Sequence, residues 1–231
     1  MPTQPAAGPE RPGASSPAAL FLDCDGPICD LFRHIDLPAA YAAALVCRSR
    51  RLRDLADRVD SDDLLAILRA AATDQAGLLA EAEETVCQVE MLGAKTATLT
   101  PGLRGLIGRA RAAHIPMAIV TNNSLSAVSL LADRFRPLFS GMRIFARPPQ
   151  RPDLMKPAPY LLLQAVAHFG RPPEAAVLIG DSESDIEAAR AAHVQVIAYA
   201  NKPDKPERFR AAGTMTIVTA LDQVRFLPGP R

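Results

Sequence analysis

Four aspartates stand in two short runs, FLDCDG with Asp23 and Asp25 and IGDSESD with Asp181 and Asp185, each directly behind an apolar stretch. A third apolar stretch, AIVTNNS, runs into Thr121 and Asn122, and Lys156 lies in MKPAP. Carboxylates, a hydroxyl, an amide and an ammonium brought together can hold an anion and a cation at once. Two like charges 4 Å apart repel by about 1 kcal/mol in water and about 4 kcal/mol at an effective dielectric of 20, so such carboxylates need compensation. Mg²⁺ suits them: it takes oxygen ligands and is usually held by one or two carboxylates plus a substrate phosphate. The His and Cys expected of a zinc site are missing from these runs.

To act together, these residues must lie on one edge of one sheet. Short runs rich in large or β-branched apolar residues alternate with Ala-rich segments of helical period, the pattern of an α/β domain with a parallel sheet. Strands are predicted at 19–24, 116–121, 142–146, 176–180, 194–199 and 215–218, with helices at 102–113, 125–134, 158–169, 184–192, 205–211 and 219–225. Near-continuous hydrophobicity in the strands suits a doubly wound sheet covered on both faces. In such sheets ligands bind beyond the carboxyl ends of the strands, where Asp23, Thr121 and Asp181 fall.

Between the first two predicted strands, residues 38–52, 61–72 and 76–92 have apolar residues at helical spacing and no strand. Ser61, followed by Asp62 and Asp63, is a candidate N-cap. The predicted organisation is a Pro-, Ala-, Gly- and Ser-rich disordered tail (1–17), a core formed by 18–29 and 97–231, and an inserted all-helical unit (30–96).

Composition narrows the partners. The net charge of +1 leaves no global excess for a nucleic acid or a membrane surface. No apolar run approaches the roughly 18–20 residues of a membrane helix. The N-terminal residues do not read as a secretory signal, and the four cysteines show no metal-site spacing, so a reducing cytoplasm is expected. Among 26 basic residues only Lys95, Lys156, Lys202 and Lys205 are lysines, which singles out each of them.

On FLDCDGPICD, AIVTNNS, MKPAP and VLIGDSESD, in that order, the sequence resembles the haloacid dehalogenase superfamily. The resemblance is to its phosphatase branch with a helical cap after the first strand, near phosphoglycolate phosphatase and β-phosphoglucomutase. It implies a Rossmann-like core and an Asp23 nucleophile that forms an aspartyl-phosphate. Asp25 is implied as the acid and base for the leaving group and water, with Thr121, Asn122, Gly26 and Lys156 at the phosphoryl group. Mg²⁺ is implied at Asp23, the Asp25 carbonyl and Asp181, with Asp185 as an outer ligand through water or an orienter of Lys156. The expected substrate is a small phosphorylated metabolite: phosphoglycolate, a sugar phosphate or a nucleotide. The expected assembly is a monomer or homodimer.

Pro27 departs from the Thr or Val usual after DxDG, and His114 and His193 stand at helix-to-strand junctions where a left-handed Gly is expected. The cluster Arg48, Arg50, Arg51 and Arg53 has two readings. Arg48 and Arg51 are candidates to grip a second anionic group of the substrate, and the favoured alternative is a solvated face interleaved with Asp54 and Asp57. Two alternatives to a phosphatase are a phosphoryl-transferring mutase and a non-catalytic regulatory protein on the same fold.

Overall fold

The computed structural model describes residues 17–59, 63–74, 77–214 and 216–225. In chain order, β1 (Ala19–Leu22) is followed by the short strand β2 (Cys29–Asp30) and four helices: α1 (Leu37–Val46), α2 (Arg50–Ala56), α3 (Ala66–Thr73) and α4 (Leu79–Thr96). The short strand β3 (Thr98–Leu99) returns the chain to α5 (Leu103–Ala112), β4 (Met117–Val120), α6 (Leu125–Arg134), α7 (Arg136–Phe139) and β5 (Arg143–Phe145). Then come α8 (Tyr160–Phe169), β6 (Ala176–Gly180), α9 (Glu183–Ala191), β7 (Gln195–Tyr199), α10 (Lys205–Ala211) and β8 (Ile217–Val218).

Six strands form one parallel sheet in the order β5-β4-β1-β6-β7-β8. β1 is central, and its side chains alternate between two apolar layers. Leu20 and Leu22 join the cluster with Leu103, Leu106, Ile107, Val128 and Leu131 from α5 and α6. Ala19 and Phe21 join Leu161, Leu162, Ala188 and Ala189 from α8 and α9. Burial on both faces is the physical reason that these strands read as unbroken apolar runs.

Helices α1 to α4 assemble a separate core around Leu52, Ile67, Leu68, Leu78, Val86 and Val89, into which Met155, next to Lys156, also inserts. The segment leaves and rejoins the sheet through β2 and β3, which pair antiparallel, Cys29 opposite Leu99 and Asp30 opposite Thr98.

Several expected boundaries move. The helix predicted over 38–52 is two helices, because the Ser49 side chain accepts the Leu52 N–H and caps α2 as a new start. The helix predicted from 61 starts at Ala66, where the Asp63 carboxylate accepts the Leu65 N–H. The Ser61 cap and the 1–16 part of the expected tail lie outside the described residues. Of the helix predicted at 219–225 only a 3₁₀ turn, Leu221–Gln223, forms. Strands β2 and β3, two residues each, and α7, one turn, are too short for a period to show. His114 and His193 do adopt left-handed backbone, with φ of 55° and 57°.

Candidate active site

Three adjacent strands, β4, β1 and β6, end side by side and deliver Thr121, Asp23 and Asp181 to one edge. This is the crevice at which a doubly wound sheet reverses its winding, since the chain leaves β1 for β4 on one side and later takes up β6 on the other. A cleft of about 720 Å³ opens there, lined by Asp23, Asp25, Thr121, Asn122, Lys156 and Asp181, with Phe32, Leu64, Leu65 and Arg69 facing them from the inserted segment.

Lys156 is the hub. Its Nζ lies 2.8 Å from Asp23 Oδ1 and 2.5 Å from Asp185 Oδ1, and it donates to the Val120 carbonyl at 3.3 Å. Asn122 clamps the Lys156 backbone from both sides: its Nδ2 donates to the Lys156 carbonyl at 2.9 Å, and its Oδ1 accepts the Lys156 N–H at 2.8 Å. Burial opposes the ammonium charge, but the Asp185 and Asp23 carboxylates outweigh it and hold the Lys156 pKa above its ordinary value.

Asp185 spends both oxygens internally. Oδ1 meets Lys156, while Oδ2 accepts from Asp181 N, Ser182 N and the Ser182 hydroxyl, closing a capping box at the start of α9. Fully buried in this way, it orients Lys156 and α9 rather than facing the cleft.

Burial raises the Asp23 carboxyl to about 7, with Lys156 pulling it down and Asp185 and Asp181 pushing it up. Burial also raises Asp25 to about 6, against the pull of the Leu31 N–H, which donates to its Oδ1 at 2.8 Å. Asp181 is raised too, again by burial, although the Lys205 ammonium opposes this. Carboxylate oxygens of Asp23, Asp181 and Asp185 all lie within 4.8 Å of one another. Asp23 and Asp181, which burial makes reluctant to ionise, are donors that a hard divalent cation fits, since it stabilises their charged form.

Two glycines permit the crowding. A Cβ on Gly26, whose φ is +93°, would stand 2.3 Å from Asp181 Cγ, and one on Gly180 would stand 2.4 Å from Asp185 Cβ. Thr121, almost fully buried, donates through Oγ1 to Asn123 Oδ1 at 2.9 Å and accepts the Asn123 N–H at 3.1 Å.

The arginine candidates are displaced. Arg48 is ion-paired with Glu84, and Arg51 lines a separate hollow with Asp54, Arg58 and Asp74; neither lines the cleft. The physical reason is the break at Ser49, which turns α2 and sets its apolar Leu52 and Leu55 into the helical core instead. Arg69 of α3 takes the cleft-facing place, held by Asp63 at 2.6 Å. Sequence reasoning also missed Lys205, whose Nζ lies 2.5 Å from Asp181 Oδ2 and donates to the Asp181 carbonyl at 2.6 Å. The scarcity of lysine was its one available signal.

A model of the haloacid dehalogenase-like hydrolase family matches residues 17–193. A phosphoglycolate phosphatase from Nitrosococcus oceani is 38% identical over 72 residues, 31% of this chain and 32% of that protein. Protein CbbY from Rhodobacter capsulatus is 31% identical over 133 residues, 54% of this chain and 55% of that protein. The matched stretches thus span about a third to about half of these relatives. The crystal structure of CbbY from Rhodobacter sphaeroides in complex with phosphate shares the fold, with a TM-score of 0.67 and 22% identity over 91% of this chain and 97% of that one. With three-quarters of its length matched by the family model and its acids, threonine and lysine gathered at the reversal point of the sheet, the chain belongs to the haloacid dehalogenase-like hydrolases.

Proposed function

We propose that the protein is a Mg²⁺-dependent phosphatase acting on a small phosphorylated metabolite. The observation that carries this is the central-strand carboxylate Asp23, held 2.8 Å from the Lys156 ammonium at the floor of a cleft that Asp25, raised to about 6, also lines. The relatives support this reading: phosphoglycolate phosphatases match by sequence, and the CbbY fold neighbour has been crystallised with phosphate, and a mutant of it with xylulose-(1,5)bisphosphate.

In this mechanism Asp23 attacks phosphorus and takes the phosphoryl group as an aspartyl-phosphate, so that one difficult displacement becomes two easier ones. Lys156, kept charged by Asp185, neutralises a phosphoryl oxygen, and the Thr121 hydroxyl and the Asn122 N–H bind the others. Asp25, which burial raises to about 6 so that it can still hold a proton close to neutral pH, gives its proton to the leaving oxygen and then takes one from the water that attacks the aspartyl-phosphate. Asp23, the Asp25 carbonyl and Asp181 would hold Mg²⁺, which when bound supplies Lewis-acid neutralisation of the phosphoryl charge. Phe32, Leu64 and Leu65 cover the cleft from turns of the inserted segment and exclude bulk water.

The decisive assay is hydrolysis of an aryl phosphate with Mg²⁺ and with chelator. Turnover should require the metal and be lost in Asp23→Asn; activity surviving that substitution would overturn the mechanism.

A further inference from the structure

We infer that Arg147 and Glu90 are positioning residues for the phosphoryl-binding loop, linking helix α4 of the inserted segment to Thr121 and Lys156. The inference rests on the phosphatase reading of the cleft.

Both side chains are fully buried. Arg147 follows β5, and each branch of its guanidinium has a partner: Nη1 donates to Glu90 Oε1 at 2.9 Å and to the Asn122 carbonyl at 2.6 Å, Nη2 to Glu90 Oε2 at 3.3 Å, and Nε to Glu83 Oε1 at 2.7 Å. Glu90, on α4, also accepts the Ser124 N–H at 2.9 Å and the Asn123 side-chain amide at 3.3 Å. The backbone N–H of Arg147 donates to the Asn123 carbonyl at 3.2 Å. The pair therefore grips Asn122, Asn123 and Ser124, the three residues after Thr121.

Those contacts lead to the reacting groups in one further step. Asn123, fixed by Glu90, holds the Thr121 hydroxyl between its own Oδ1 and N–H. Asn122, fixed by Arg147, clamps the backbone of Lys156 at both its N–H and its carbonyl. A buried ion pair is poor evidence of stabilisation, because apolar residues of similar volume often serve a core as well or better. What apolar residues cannot do is aim a backbone carbonyl, an amide and an N–H at once. Because Glu90 and Glu83 belong to α4, the loop takes its productive shape only while that helix is seated against the sheet layer.

The test uses the whole chain with Glu90→Gln, which keeps the shape but not the charge, and Arg147→Lys, which keeps the charge but not the fork. Aryl phosphate hydrolysis with Mg²⁺ and the inhibition constant of inorganic phosphate are measured below each variant's melting temperature and normalised to folded protein by circular dichroism. At least one variant that stays folded should lose tenfold or more in kcat and bind phosphate at least fivefold more weakly. If every folded variant keeps both constants within twofold of the parent, whatever its melting temperature, the pair is structural only and the inference is overturned. A parent chain inactive with Mg²⁺ would overturn the phosphatase reading and this inference with it. An active parent with unaffected variants would overturn the inference alone.

Discussion

Asp25 binds its proton more tightly in the folded chain than in the unfolded one, and this has a measurable cost. Its carboxyl is raised from 3.8 to about 6 by burial, so between those values the folded state carries a proton that the unfolded state has lost. Stability then falls as pH rises through that window, and above it the deprotonated group is a burden of up to about 3 kcal/mol. In chelator, Asp25→Asn should therefore melt higher than the parent at pH 8 and show no such advantage at pH 4; equal melting at pH 8 would refute this account of the shift. At this scale the sequence was legible where chemistry follows directly on an apolar run, as for Asp23, Thr121 and Asp181. Of Lys205 it offered only the rarity of lysine, and on Glu90 and Arg147 it was silent, because the partners lie 24 and 57 positions away, and nothing local marks a charge that only a distant backbone will bury.

Among the elements, β6 and α9 act as one piece. Gly180 ends the strand against Asp185 of the helix's first turn, and the Ser182 capping box locks that turn. Gly180→Ala would force a Cβ to within 2.4 Å of Asp185 Cβ with no flexible atom to yield, so it should move Asp185 off Lys156 and reduce kcat at least 100-fold. Ser182→Ala removes the cap and one of three donors to Asp185 Oδ2, and should lower stability by about 1 kcal/mol by denaturant titration while leaving most activity. Periodicity revealed α6, α10 and β6 with the bounds observed, since each is a regular element that buries one face or both. It merged α1 and α2, because Ala-rich sequence continues the helical period across Cys47 and Arg48 while a single serine hydroxyl decides the break.

At the scale of the whole molecule, charge on the inserted helices divides into a part that meets the cleft and a part that does not. Arg69 faces Asp23 and Lys156 across the opening, whereas Arg51 lies in a hollow of its own. Arg51→Ala should leave kcat/KM within twofold for any phosphoester. Arg69→Ala should raise KM severalfold for substrates that carry a second anionic group, and have little effect on an aryl phosphate. Equal effects of the two substitutions in a phosphometabolite screen would contradict this division. The arrangement of a sheet with a helical insertion was readable because about ninety residues between the first two predicted strands, helical over 38–93, cannot be an ordinary crossover. Which helix face turns to the cleft was not, since that depends on where α1 ends.

The pairing of β2 with β3 has a further consequence. With Asp30 hydrogen-bonded beside Thr98, residues 31–97 form a loop fastened at its base, and the entropy of bringing its two ends together, ~4 kcal/mol, is borne by the ribbon rather than by the helices. That entropy grows only with the logarithm of length, about 0.6 kcal/mol for each doubling. Helices α1 to α3 can therefore be lengthened, shortened or exchanged at little thermodynamic expense to the sheet, whereas α4 stays tied to it through Glu83 and Glu90. The fold thereby leaves the chemistry of Asp23 fixed while the rest of the segment facing it is free to diversify.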